Sequence, residues 1–256
     1  MSDAILFEER DDIALITINR PEQRNAVNTA VREGLFAAWD RFEKDDKLKV
    51  AILTGAGDKA FCAGLDLKEA TATGLGAQVI QKNFLPIIGQ TLEVTKPTIA
   101  AVNGAAFAGG WLFSQMCDLC VAADHVSFAI TEGKVGRGMP WMPPLAHMLP
   151  RRIVLELLMT ARPMSVKRAF DLGFVNEIVP AAQLLDKAFE LARAIADNAP
   201  LTVRAARELA YLSCEMNTAS ALQVGNILFD PVYRSEDALE GPRAFAEKRK
   251  PVWKGR

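Results

Sequence analysis

Residues 13–18 (IALITI) form an apolar run that does not alternate. Ile13, Leu15 and Thr17 would point one way along a strand and Ala14, Ile16 and Ile18 the other, and Thr17 is the only polar residue of the six. A strand of this kind has to be covered on both faces, as in a sheet layered between helices. Residues 49–54 (KVAILT) repeat the pattern with β-branched residues, and Gly55 to Gly57 end the run. Two such strands constrain the chain to an α/β architecture, because each needs a helical layer on either side.

The remaining elements follow from periodicity and punctuation. Residues 4–18 read as two strands joined at Asp11-Asp12. After the polar loop NRPEQRNAVN, Asn28 or Thr29 caps a helix to about Asp45, with Val31, Leu35, Ala38, Trp39 and Phe42 on one face. A helix starts near Asp66 and another is predicted over 79–94, kinked at Pro86. A strand at 98–102 runs into a Gly/Ala-rich loop at 103–110, then a helix to about Met116 and strands near 119–123 and 126–130. Beyond Ile153 the pattern is mostly helical (153–160, 165–171, 182–197, 200–217, 219–229 and 236–248), with a last strand at 175–179.

Charge and composition exclude several classes of function. Thirty basic and 31 acidic residues leave a net charge of −1, which removes the electrostatic reason to expect nucleic acid or an anionic membrane as partner. No apolar run approaches bilayer length, and the acidic start MSDAILFEERDD has no basic leader region. Four cysteines in 256 residues make no disulfide framework, so the expectation is a reduced, cytoplasmic protein. C-x-x-C at Cys117 and Cys120 reads as buried thiols. His125 and His147, the only histidines, leave little room for a His-rich metal site or a Ser-His triad. Neither nucleotide-binding glycine fingerprint is present.

Two loops look built for one task. KAFCAGLDLK, residues 59–68, and NGAAFAGGWL, residues 103–112, each follow a strand and lead into a helix, so each offers free backbone N–H groups beside small residues. Two converging amides can hold one oxyanion. Alone, glycines in such loops equally serve tight turns.

Taken in order, five segments resemble the crotonase superfamily, the enoyl-CoA hydratase/isomerase family. They are INRPEQRNAVN, KAFCAGLDLKE, KPTIAAVNGAAFAGGWLFSQMCDLCVAAD, FAITEGKVG and FDPVYRSEDALEGPRAFAEKRKPVWKGR, and together they run nearly end to end. Ala108 stands where the family pattern has the first of three glycines.

The resemblance implies a crotonase-like spiral of ββα units over residues 1–195, bearing an acyl-CoA site, and a helical C-terminal trimerisation region over 196–256. It implies a homotrimer or dimer of trimers. No tightly bound cofactor is implied, since coenzyme A belongs to the substrate. The N–H groups of Leu65 and Gly109 would form an oxyanion hole for a thioester enolate, each such donor being worth about 3–4 kcal/mol in other oxyanion holes. Coenzyme A contacts would map to Arg24, Ala26, Ala63, Gly64, Asp66, Lys68 and Gly110, and in the tail to Phe229, Phe245 and Lys248. The two phenylalanines equally fit an apolar helical stripe, and the two lysines equally fit solvated positions.

The acid/base positions carry the most information. Typical hydratases of the family use two glutamates, and Glu132 fills one place while Leu112 stands in the other. Leucine transfers no proton, which speaks against simple hydration of a 2-enoyl-CoA. A single Glu suffices to move a double bond, so the resemblance favours isomerisation, with hydration, hydrolysis or decarboxylation, and non-catalytic acyl-CoA binding as alternatives. Pro140 replaces the extra Asp of dienoyl-CoA isomerases. Trp111, Met139, Trp141 and Met142 are open between a large acyl pocket and core, and Arg137 between a substrate acid and a protein carboxylate.

Overall fold

The computed structural model describes residues 3–74 and 84–256. Its main sheet comprises β1 (Ile5–Arg10), β2 (Ile13–Ile18), β3 (Val50–Gly55), β5 (Thr98–Val102), β7 (Leu119–Ala123) and β10 (Glu177–Val179), in the order β1-β2-β3-β5-β7-β10. Only the β1–β2 hairpin is antiparallel, and Asp11 takes the left-handed conformation at its turn. The other neighbours are parallel.

Both faces of β2 are buried, and they enter different cores. Ile13 and Leu15 join Val50, Ile52, Ile99, Ala101 and Val121 against Leu184, Ala188, Ala192 and Ala196 of α7 (Leu184–Ala196). Ala14, Ile16 and Ile18 join the larger core with α1 (Thr29–Lys44), whose Val31, Leu35, Ala38, Trp39 and Phe42 are all buried. Asn28 caps α1 by accepting the Val31 N–H.

A second, smaller sheet stands apart. It orders β4 (Ala60–Cys62), β6 (Ala105–Phe107), β8 (Ser127–Ala129) and β9 (Met164–Ser165), with β4–β6 and β6–β8 parallel. Each of the first three strands ends in a loop that turns the chain into α2 (Leu67–Ala72), α3 (Gly109–Gln115) or a short 3-10 turn (Glu132–Val135). Helices α4 (Leu145–Met148), α5 (Arg151–Thr160) and α6 (Val166–Asp171) come next, and after α7 the chain is helical: α8 (Pro200–Glu215), α9 (Thr218–Arg234) and α10 (Glu236–Ala246).

Two expectations need correction. Residues 79–83 of the helix read over 79–94 lie outside the described residues, and 84–94 is not helical. There Thr91 takes over local bonding: its hydroxyl accepts the Ile87 N–H and donates to the Leu85 carbonyl, and Gly89 sits at positive φ. The ninth helix, expected to stop at 229, continues to Arg234, because Pro231 falls in its last turn and removes a single donor there.

Four buried or half-buried polar groups join these layers. Lys96 is buried, and its ammonium donates to the Phe42 and Asp45 carbonyls at the end of α1, where cations are favoured. Asp118 accepts from the Thr98 N–H and hydroxyl with one oxygen, and from Arg207 Nε and the Tyr211 hydroxyl of α8 with the other. Asp237 accepts the Lys254 and Gly255 N–H groups, and Glu240 accepts Arg249 and the Val252 N–H, so α10 straps down the chain's last residues.

Asp118→Ala should lower the free energy of unfolding by about 3 kcal/mol, because it leaves the Arg207 guanidinium half-buried without its partner. Tyr211→Phe, which removes one hydrogen bond, should cost about 1 kcal/mol. Urea titration of the variants against the parent measures both.

Candidate active site

The three parallel strands β4, β6 and β8 end side by side, and the candidate residues stand just past those ends. Asn25 is wholly buried beneath the first loop, donating to the Ala56 and Ala60 carbonyls and accepting the Arg20 N–H. Asn103 ties the second loop to the first strand-end by accepting the Gly55 N–H and donating to the Gly57 carbonyl. Arg20 bonds the Ala26 carbonyl and pairs with Asp66 at 3.1 Å.

Among the described residues, the Leu65 and Gly109 amides have no backbone acceptor. Val27 pairs with Leu65 in a parallel bridge, donating to the Gly64 carbonyl at 2.8 Å and accepting the Asp66 N–H at 3.0 Å. Those bonds pass through residues 64 and 66, so the Leu65 amide is left over. Gly109 is the first residue of α3, and its N–H has no acceptor within the helix. The two loops touch at their backbones: a Cβ built on Gly109 would lie 3.5 Å from Gly64 Cα, and one on Gly64 would meet Ala108 Cβ at 2.7 Å. Gly64 also has φ +87°, so it is glycine for conformation and for space. Gly110 is glycine for space alone, since a Cβ there would come 2.0 Å from the Cys62 carbonyl oxygen.

Ala108 adopts φ 52° and ψ −116°, a conformation that glycine enters freely and alanine does not. Its N–H donates to the Ala129 carbonyl at 2.8 Å, holding the loop on β8 in spite of the strain.

Glu132 opens the 3-10 turn after β8 and is only 8% exposed. Its carbonyl accepts the Arg137 N–H at 3.0 Å, and Gly136 closes the turn in the left-handed region. Burial pushes the Glu132 carboxyl above the usual carboxylate range. Hydrogen bonds from backbone amides and from the Trp141 side chain, together with the Arg137 charge, partly oppose that rise. Its Oε2 is buried with no hydrogen-bond partner among the described residues.

A cavity of about 240 Å³ brings Ala63, Leu65, Ala108, Gly109 and Glu132 onto one surface, with Lys134, Arg137 and Trp141 beside them. Two donors that can meet an oxyanion therefore face a carboxylate that can hold a proton, which is the equipment for enolate chemistry.

The other residues singled out in the sequence stand elsewhere. Arg24 and Lys68 are exposed and Ala26 is half-buried, none of them on the cavity wall. Asp66 caps α2, accepting the Lys68 and Glu69 N–H groups besides pairing with Arg20. Phe229 lies along α9 in a separate surface depression, Phe245 is 87% exposed on α10, and Lys248 is exposed just beyond it. Trp111 belongs to the core, with ring centroids 5.6 Å from Phe128 and 5.3 Å from Phe174. Met139 and Met142 pack partly buried against that core, whereas Trp141 reaches the cavity. Cys62, Cys117 and Cys120 are buried free thiols, and burial pushes Cys62 and Cys120 up to about 12. Asn25, Arg20 and Asn103 were not singled out from the sequence, although all three lie within segments of the family resemblance. Among the described residues no helix is long and apolar enough to cross a membrane, and no group of His, Cys, Asp and Glu could hold a metal ion.

Two backbone amides and a buried carboxyl beyond a short parallel sheet are the parts that chemistry on an activated carbonyl requires. Comparison with known proteins gives the family: residues 8–256 match the enoyl-CoA hydratase/isomerase family, and the chain belongs to it. It is thus an enzyme of the hydratase/isomerase type. It is 37% identical over 265 residues to a carnitinyl-CoA dehydratase of Proteus mirabilis, with all of both chains covered. Among solved structures it is similar to an enoyl-CoA hydratase from Mycobacterium marinum (39% identity, TM-score 0.90, all of both chains). An enoyl-CoA hydratase from Bacillus anthracis is similar at 32% identity and TM-score 0.89, over 99% of this chain and 100% of that one. The α/β spiral expected from the resemblance is the fold observed.

Ala108→Gly should raise stability by about 1 kcal/mol, since relief of the strained φ outweighs the added chain entropy of glycine. The rise in thermal midpoint, about 2–4 °C for a chain of this size, reports it. Glu132→Gln should also stabilise the fold in a pH-dependent way. The folded-state pKa of Glu132 is raised, so its contribution is fully present below the ordinary value of 4.5 and is lost as pH rises through the folded value. The variant's advantage in denaturant titrations should therefore be absent in acid and grow toward neutrality.

Proposed function

We propose that this protein is an acyl-CoA enzyme that moves a double bond with a single carboxylate. In this reading the thioester carbonyl of a 3-enoyl-CoA accepts hydrogen bonds from the Leu65 and Gly109 amides. The Glu132 carboxylate takes a proton from C2, the electron pair moves into an enolate on the thioester oxygen, and the double bonds become conjugated through C4. Glu132 then returns its proton to C4, leaving the double bond between C2 and C3. Atoms balance with no water and no cofactor consumed. A carboxyl whose pKa is raised by burial suits a group that acts first as base and then as acid.

The observation that carries this reading is the placement of Leu112. It is 1% exposed, one turn along α3 from Gly109, and it contributes to an apolar wall outside the Glu132 cavity. A second carboxylate to position water is missing from the wall where hydratases of the family pattern carry one. The second reading, hydration or dehydration of a 2-enoyl-CoA, is favoured by the names of the relatives.

Coenzyme A contacts at Arg24, Ala26, Ala63, Gly64, Asp66, Lys68 and Gly110 belong to the same proposal. Phe229, Phe245 and Lys248 would then serve the pocket of a neighbouring copy, in a trimer or dimer of trimers formed through residues 196–256. Leu222, Ile227, Tyr233 and Leu239 support that assembly, being large apolar side chains left exposed on α9 and α10.

Paired 2-enoyl- and 3-enoyl-CoA substrates incubated in heavy water, with products read by mass spectrometry, distinguish the readings. Isomerisation gives deuterium uptake without added water, and Glu132→Gln lowers kcat by about 10²–10⁴. A product heavier by one water establishes hydration instead. The kcat/KM profile of the isomerase should rise with pH through a value above 4.5, because the base must be ionised in the free enzyme.

A further inference from the structure

With Leu112 in the other acid/base place, no carboxylate on α3 orients Glu132, and its alignment has to come from elsewhere. A glutamate side chain turns about several bonds, and Glu132 Oε2 is buried with no hydrogen-bond partner among the described residues. The Thr131 and Glu132 amides that donate to the carboxyl belong to its own turn and move with it. Trp141 comes from beyond that turn. The indole N–H is the one donor of its side chain, and it donates to the Glu132 carboxyl. Trp141 lines the same cavity as Leu65, Gly109 and Glu132, and it is 7% exposed. Trp141 is itself held. Pro140 fixes the backbone ahead of it and has no N–H of its own to offer the carboxyl. Gln115, buried at the end of α3, donates from Nε2 to the Trp141 carbonyl at 3.0 Å. Gly109 begins that same helix. One short element therefore carries an oxyanion amide at its start and, through Gln115, steadies the anchor of the base at its end.

We propose that Trp141 is a positioning residue: its indole N–H holds one oxygen of the Glu132 carboxyl and leaves Oε2 to carry the proton, with Gln115 fixing the indole from behind. This rests on the reading of Glu132 as the acid/base group. C2 and C4 of the substrate flank a single carbon, so an oxygen that swings about an anchored partner reaches both. A carboxyl free to rotate would lose the alignment on which proton transfer depends. The bond also favours the ionised form and so works against burial. Lys134 and Arg137 are the charged side chains that share the cavity wall with Glu132 among the described residues, and the two facing loops contribute Ala63, Leu65, Ala108 and Gly109.

Heteronuclear magnetic resonance of the indole N–H groups in the full chain tests the bond without substrate. The chain has four tryptophans. The Trp39 and Trp111 N–H groups are buried without acceptors among the described residues, and Trp253 donates to the Asp197 carbonyl at 2.7 Å. One indole signal, that of Trp141, should therefore move as Glu132 ionises, and the movement should vanish in Glu132→Gln. Infrared difference spectra follow the Glu132 carboxyl itself. Trp141→Phe keeps an aromatic ring in place and should raise the Glu132 midpoint by about one pH unit, because the hydrogen bond lost is one to the ionised form. In the isomerase assay, on the high-pH plateau, Trp141→Phe should lower kcat about tenfold at unchanged KM. Gln115→Met, which loses the donor at similar size, should lower kcat in the same direction. Indole signals that all stay still through Glu132 ionisation overturn the inference, and so do a midpoint and a kcat in Trp141→Phe equal to those of the parent. The parent chain's own indole titration decides the matter should Trp141→Phe fold poorly. A Trp141 signal that moves while no enoyl-CoA is isomerised overturns the isomerase reading and leaves the bond to Glu132 standing.

Discussion

The parallel ladder β4–β6–β8 holds the site together, and it is very small. Ala60 and Cys62 pair with Ala105 and Ala106, and Ala106 and Phe107 with Phe128 and Ala129. These few pairings bring three loops, far apart in sequence, out at the same edge. From there Leu65, Gly109 and Glu132 reach one cavity. A ladder this short has few bonds to set its register, so the loops it launches are fixed from outside it. Asn25 and Asn103 do this with bonds to strand-end carbonyls and amides, and Arg20 does it through Asp66. The contact of Gly64 with Gly109 then sets how closely the two donors approach.

This dependence explains why polar side chains beside the site are bonded within the scaffold. Asp66 has one oxygen on the α2 amides and the other on Arg20, so its charge is spent on holding the first loop. Its carboxyl sits below the usual range: the desolvation that would raise it is overcome by the Glu69 and Lys68 amides and by the Arg20 guanidinium. Glu132 shows the opposite balance, with burial dominant and Oε2 left unbonded. The surroundings of the two carboxyls thus push them in opposite directions, Asp66 toward the anion and Glu132 toward the protonated form. The same division appears in the tail, where Asp237 and Glu240 clamp the last residues rather than facing the cavity.

The main sheet was legible because its strands carry a signal in every residue. The apolar run 13–18 has two buried faces, and α7 and α1 are what cover them. In the small sheet only β8 was legible, as the strand expected near 126–130. Two- and three-residue strands such as 60–62 and 105–107 are shorter than any period, and they read as the starts of loops. The catalytic candidates were legible nonetheless through the order of five family segments, which encodes the outcome of the ladder without showing it. Two other matters were decided only by three-dimensional packing. Trp111 and Trp141 look alike in sequence, yet one enters an aromatic cluster and the other a cavity wall. Residues 84–94 carry helical apolar spacing, but a threonine hydroxyl and a left-handed glycine override it.

Ala108 and Leu112 belong to one helix start, and their departures from the family pattern act on different parts of the chemistry. Ala108 keeps a methyl group against Gly64 at the cost of a strained φ, so the spacing of the donor loops is set by a side chain where glycine would leave it free. Leu112, one turn on, exchanges a proton carrier for an apolar wall. The first change leaves the Leu65 and Gly109 amides on the cavity wall, and the second puts an apolar side chain where the family pattern of hydratases has a glutamate. Enolate stabilisation needs only the amides, while activation of water needs a carboxylate pair to orient it. On the proposed reading, the combination keeps enolate formation and limits the fate of the enolate to proton transfers that one carboxylate can complete.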